Sequence, residues 1–135
     1  MYKSRFNLIK TILFSFLFLG FSSEIHARIP TTIIKSCYDG DTCTTIDGEK
    51  IRLACIDTPE LKGENAKPNE AKQARDFLNQ LVSNKKVSIR RITKDRFGRT
   101  VAELFKNDIN VQKLIIEKEY GKIYERYAYQ CEWTL

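Results

Sequence analysis

Two Asp-Gly dipeptides, Asp39-Gly40 and Asp47-Gly48, cut a β-branched stretch into three short runs, and this constrains the fold more than any other feature. Thr31–Tyr38 ends at the first pair, Asp41–Ile46 ends at the second, and Glu49–Ile56 is stopped by Pro59. Asp-Gly between such runs signals a hairpin, because these residues tolerate the positive φ that tight hairpin turns require. Three consecutive antiparallel strands are therefore expected. After a polar loop, Glu60–Pro68, the period changes: from Asn69 onward, Ala71, Ala74, Phe77, Leu78, Leu81 and Val82 fall on one helical face. Lys85–Ile92 alternates around Val87 and Ile89, Asp95–Arg99 reads as a turn, and Thr100–Phe105 reads as another strand. Val111–Tyr120 returns to helical spacing through Val111, Leu114, Ile115 and Tyr120. The order β-β-β-α-β-β-α predicts an α+β, mainly β domain: a five-stranded Greek-key barrel with two packed helices. The 135 residues leave room for one such core.

The first 27 residues read as a secretory signal peptide, leaving 28–135 as the domain. Lys3, Arg5 and Lys10 precede the apolar run Ile12–Phe21, and Ala27 supplies a small residue before a cut. The run is about half the length a membrane-spanning helix needs. Export, to the periplasm or the outside, is thus expected, with no membrane attachment afterwards. The only histidine, His26, lies in this segment. A chain processed there is excluded from Ser-His-Asp and Cys-His chemistry and from histidine-based zinc sites. Catalysis would have to rest on carboxylates, Arg, Lys, Tyr or a hard metal ion. The formal charge of +6 favours a polyanionic partner without specifying one.

The acids and arginines cluster at one end of the strand meander. With Asp47-Gly48 as the two central residues of a tight turn, Ile46 pairs with Glu49, Cys43 with Arg52 and Asp41 with Ala54. On that register Asp41, Cys43 and Arg52 share one face, while Leu53 and Cys55 share the other. Asp41 opens its strand and Asp57 closes the neighbouring one, so both carboxylates emerge at one end, with Glu60 following. Parity alone turns Asp57 away from Arg52, so the Asp57-Thr58-Pro59 turn is expected to redirect it. These acids repel one another unless a cation joins them, and a hard ion such as Ca²⁺ suits oxygen donors. Arg52 and Arg99 add planar guanidinium groups that can clamp a phosphate. Taken singly, each feature is ordinary turn chemistry or a surface ion pair. Together they match what phosphodiester hydrolysis requires.

Asp39-Gly40-Asp41-Thr42, the block Ile51–Glu60 (IRLACIDTPE) and Asp95–Arg99 (DRFGR) together resemble the staphylococcal nuclease (thermonuclease) family. The resemblance spans about Thr31 to Tyr127 and implies an oligonucleotide-binding (OB-fold) barrel. It implies that Asp41, Asp57 and the Thr58 carbonyl ligate Ca²⁺, that Glu60 is the general base, and that Arg52 and Arg99 hold the scissile phosphate. The implied reaction cleaves the P–O5′ bond of DNA or RNA and leaves 3′-phosphates. Arg96 and Phe97, with Tyr124 and Tyr127, stand near the family's nucleotide-contacting positions. A monomer acting on single-stranded or locally open nucleic acid, without a stable protein partner, is expected. The alternatives are a non-catalytic nucleic-acid-binding barrel and an inactive truncated homologue, since the family's third, C-terminal helix is expected to be missing. The four cysteines allow three disulfide pairings or free thiols. Parity disfavours Cys43–Cys55, and permits Cys37–Cys43 only if the intervening loop has an odd residue count. The set Cys37–Cys43 and Cys55–Cys131 is favoured on that ground.

Overall fold

The computed structural model describes residues 28–135; the signal segment read from residues 1–27 lies outside the described residues. Three meander strands, β1 (Thr31–Cys37), β2 (Thr42–Thr45) and β3 (Lys50–Leu53), are followed by a two-residue strand β4 (Ile56–Asp57) and helix α1 (Pro68–Val82). Strands β5 (Lys86–Lys94) and β6 (Thr100–Lys106) form a hairpin. The short β7 (Ile109–Asn110), helix α2 (Val111–Glu117) and β8 (Lys122–Ile123) come next. The sheet order is β3-β2-β1-β5-β6-β7, and a parallel β3–β6 pairing closes the first five strands into a barrel. This is the expected five-stranded barrel with two helices. Strands β4 and β8 form a separate antiparallel pair beside it, which hydrophobic periodicity did not signal because each is two residues long.

Ile34, Ile51, Leu53, Ile56, Ile89 and Leu104 fill the barrel and are fully buried. Helix α1 starts at Pro68, whose missing N–H costs nothing in the first turn, and buries Ala71, Ala74, Leu78 and Val82 as one stripe. Its Asn79 docks on β1 by a reciprocal pair: Cys37 N donates to Oδ1 (2.8 Å), and Nδ2 donates to Cys37 O (2.9 Å). Helix α2 is capped by Asn110, whose side chain accepts from Lys113 N. It ends at Glu117 rather than Tyr120 because Glu119 takes a left-handed conformation (φ 60°). Among the described residues no third α-helix follows. Two 3₁₀ segments, Glu125–Gln130 and Glu132–Thr134, close the chain. Trp133 Nε1 donates to the buried Glu103 (2.8 Å), which also takes Asn110 Nδ2 (3.0 Å).

The β2–β3 register differs by one residue from the sequence expectation. Thr42 pairs with Arg52 and Cys43 with Ile51. The turn has three residues, Ile46-Asp47-Gly48: Thr45 N donates to Glu49 O, and Gly48 adopts a φ of 85°. The extra residue flips the partner strand, so Cys43 shares the core face with Ile51 and Leu53, and Arg52 turns outward. Five residues, Tyr38–Thr42, separate the two cysteines, and this odd count sets Cys37 opposite Cys43. The disulfides are Cys37–Cys43 and Cys55–Cys131.

Glu49, just after that turn, fastens the meander to the other hairpin. Its carboxylate accepts Arg91 Nε (3.0 Å), Arg91 Nη2 (2.6 Å) and Thr100 Oγ1 (2.7 Å). The Arg91 hydrogen bonds outweigh burial and bring its pKa down to about 2. Because the folded value lies below the unfolded one, this stabilisation is complete above the unfolded pKa and is lost as pH falls toward 2. Glu49→Gln is expected to cost about 1 kcal/mol at neutral pH, the upper range for a solvent-accessible pair. Urea melts at pH 7 and pH 3 should show the difference shrinking; a constant difference would mean the charge contributes nothing.

Candidate active site

The acidic half of the site is built on the five-residue stretch between Cys37 and Cys43. Asp39 Oδ1 accepts Asp41 N (3.1 Å), a local turn bond of the kind Asp readily makes. Asp41 is buried; its Oδ2 accepts Thr58 N (3.1 Å) and pairs with Arg52 Nη2 (3.2 Å), and Oδ1 accepts Thr42 Oγ1. Arg52 also donates to Leu53 O (2.6 Å) and Ile56 O (3.0 Å), so the chain wraps around its guanidinium. The wrap is made at Ala54-Cys55, where Cys55 has a φ of 67°. That turn, rather than Asp57-Thr58-Pro59, carries out the redirection that parity required. Asp57 and Glu60 therefore reach the same cleft as Arg52.

Two glycines allow the Asp57-Thr58 backbone to sit this deep. A Cβ on Gly40 would lie 2.7 Å from Ala74 Cβ and 2.9 Å from Thr58 Cβ, and one on Gly121 would lie 2.8 Å from Asp57 O. Gly40→Ala is expected to cost about 1–3 kcal/mol through overpacking and to displace the acidic loop. Denaturant melts check the first effect; an unaltered melt would show that α1 can move aside.

Burial pushes the Asp41 carboxyl up to about 7, with Asp39 adding to the shift and Arg52 opposing it. Glu60 is also raised, first by burial and then by Asp39 and Asp57, against the pull of Arg52 and Arg99. Both carboxyls thus occupy a place where an added positive charge would be welcome. Among the described residues no three Asp, Glu, His or Cys side chains form a closed ligand cluster. The available donors are the Asp41 and Asp57 carboxylates and nearby main-chain oxygens, and Thr58 Oγ1 is buried without a hydrogen-bond partner. An oxygen-only, partly solvated set of this type fits a hard divalent cation that keeps several waters.

The basic half is the β5–β6 turn. Asp95 organises it by accepting Phe97 N (2.9 Å), Arg99 N (3.0 Å) and Arg99 Nε (2.7 Å). Burial would raise the Asp95 carboxyl, yet these bonds hold it below its ordinary value, so it stays charged and keeps Arg99 in place. Phe97 is 68% exposed, with Arg96 4.7 Å and Arg99 5.4 Å from its ring centroid. Opposite lies an aromatic wall in which Tyr124 and Tyr127 meet edge to face at 5.1 Å.

One cleft of about 680 Å³ gathers Asp41, Arg52, Asp57, Glu60, Arg96, Phe97, Arg99, Tyr124 and Tyr127. Thr58 lies behind it, buried, with its amide on Asp41. Cys55 lines the cleft as well. Sequence reasoning missed Asp39, Lys94, Arg126 and Gln130, which also line it. Asp39 stands in the Asp39–Thr42 motif and in a turn pair, and neither feature assigns it a role in the site. Arg126 and Gln130 follow β8 with no periodicity to flag them.

A family model described as staphylococcal nuclease homologue matches residues 50–133. An uncharacterised endonuclease of Escherichia coli O157:H7 is 29% identical over 123 residues, covering 88% of this chain and 74% of the relative. An uncharacterised Bacillus anthracis protein is 33% identical over 104 residues, covering 72% and 48%. A staphylococcal-like nuclease of Arabidopsis thaliana is 32% identical over 83 residues, covering 62% and 24%.

Proposed function

We infer the function from one premise: this chain belongs to the family of staphylococcal nuclease homologues, and it is a nuclease. On that premise we propose a calcium-dependent nuclease that hydrolyses DNA or RNA by cleaving the P–O5′ bond, leaving 3′-phosphates. The observation that carries the proposal is the convergence of Asp41, Arg52, Asp57, Glu60 and Arg99 on one cleft from four separate chain segments. Arg52 and Arg99 bind the scissile phosphate and offset the charge that builds as a fifth oxygen adds to phosphorus. Glu60, its carboxyl pKa raised by burial and by the neighbouring acids, orients the attacking water and takes its proton. Asp41, Asp57 and the Thr58 carbonyl would hold Ca²⁺, which supplies charge neutralisation at the phosphate when bound. Phe97, Tyr124 and Tyr127 offer stacking surfaces for exposed bases, which favours single-stranded or locally open substrate. Export through the N-terminal segment, with action as a monomer outside the cytoplasm, completes the proposal. Among the described residues no helix is long and apolar enough to cross a membrane.

The test is digestion of single-stranded DNA by the purified protein with calcium, then with a chelator, with end-group analysis of the products. Calcium-dependent cleavage leaving 3′-phosphates is expected. Cleavage that persists in chelator, or a folded protein that binds DNA without cutting it, would reject the mechanism. Asp41→Asn is expected to raise the half-saturating calcium concentration roughly tenfold, the scale on which metal-site perturbations act. In the unsubstituted protein the calcium requirement should fall as pH rises through about 7, because Asp41 must lose its proton to act as a ligand. An unchanged calcium titration in Asp41→Asn would remove this residue from the metal shell.

A further inference from the structure

We propose that Cys55 is a positioning residue that holds both ends of the Tyr124–Cys131 arc and thereby sets the cleft's grip on a nucleic-acid strand. The inference rests on the nuclease reading above and concerns how the same cleft binds. Its basis is a doubled attachment at one residue. The Cys55 carbonyl accepts Tyr124 N (2.9 Å) at the start of the arc, and the Cys55 sulfur is bonded to Cys131 at its end. Cys55 itself sits in the turn between Arg52 and Asp57, in a left-handed conformation that few non-glycine residues adopt. The arc is thus a closed ring fastened to the backbone that carries the phosphate-binding and acidic side chains.

The residues between these two attachments have little else to order them. The 3₁₀ segment Glu125–Gln130 buries none of its side chains, whereas Cys131 is fully buried. Yet this segment supplies Arg126, Tyr127 and Gln130 to the cleft wall. A wall with no buried side chain is held by its ends, and opening one end returns conformational freedom that binding must then remove. Further attachments include Thr134 Oγ1 donating to Ala128 O (2.7 Å), Arg90 Nη2 donating to Gln130 O (2.9 Å) and Trp133 donating to Glu103. They keep the segment docked on β5 and β6 in the folded protein when the disulfide is absent, so within the folded state the loss falls on the wall's precision, and the stability lost acts through the freed unfolded chain.

The experiment measures binding of a fluorescein-labelled single-stranded oligodeoxynucleotide by anisotropy at 10 °C in chelator, where no cleavage is needed. Cys55→Ser/Cys131→Ser is expected to weaken binding about tenfold, the scale of a few newly ordered side chains. Tyr127→Ala should weaken binding in the disulfide-bonded protein but change it less than twofold in the serine pair, because both act through one wall. A second variant keeps the crosslink: two glycines inserted after Gln130 enlarge the ring and are expected to lower affinity to the same extent. That variant decides the matter if the serine pair fails to fold. Undiminished affinity in the enlarged ring, or fully additive effects of Tyr127→Ala and the serine pair, would overturn the proposal. An unsubstituted protein that does not bind the oligonucleotide overturns it too. A protein that binds and shows the ring dependence, yet never cuts with calcium, defeats only the nuclease reading.

Discussion

Arg99→Ala is expected to lower kcat by about 100- to 1000-fold, the scale for removing one preorganised donor from a developing oxyanion. The fold of the β5–β6 turn should survive the change. Asp95 keeps its bonds from the Phe97 and Arg99 amides when the guanidinium is gone, and only the Nε contact is lost. Because the interaction strengthens as charge builds on the non-bridging phosphate oxygens, the defect should remain at saturating substrate. Arg99→Lys should recover little, since a point charge cannot reproduce the planar fork. Steady-state kinetics on single-stranded DNA separate the cases. A change confined to KM, or a loss below about threefold, would show that Arg99 binds substrate without acting on the transition state.

Cys131→Ser carries the largest expected effect on stability. The bond it removes joins residues 76 apart in the sequence, and closing so long a loop is worth about 4 kcal/mol in the chain-entropy account. That is a large share of the roughly 5–15 kcal/mol by which domains exceed their unfolded chains. At about 4 °C per kcal/mol for a domain of this size, the melting temperature should fall by about 15 °C. The same fall is expected for the unsubstituted protein in excess reductant, after allowance for the shorter Cys37–Cys43 loop. The site shares the loss, because Cys55 forms part of the cleft and its small buried cluster with Ala54 and Cys131 lies beneath it. A melting shift below about 4 °C would mean that the crosslink removes little conformational freedom from the unfolded chain.

The β1–β3 meander, both helices and the β5–β6 hairpin could be placed from turn residues and apolar period alone. The acids and arginines could be found because they sit at recognisable offsets from those turns. The β2–β3 register could not be read. Asp47-Gly48 is compatible with a two-residue turn and with a three-residue turn carrying Gly48 in the left-handed position, and the two differ by one residue of slip. Packing chose the second, because it sends Cys43, Ile51 and Leu53 together into the core. The same holds for Gly40 and Gly121, whose need to be glycine arises from Ala74 and the Asp57-Thr58 backbone, far away in sequence.

The amino-acid order by itself determined which segments turn, which extend, which coil, and which side chains are candidates for the site. These follow from sterics and hydrogen bonding within a few residues of each position. Barrel closure through β3 and β6, the left-handed Cys55, and the meeting of four chain segments in one cleft were decided only in three dimensions. Each depends on contacts between residues tens of positions apart, whose free energy exists only once the core has formed.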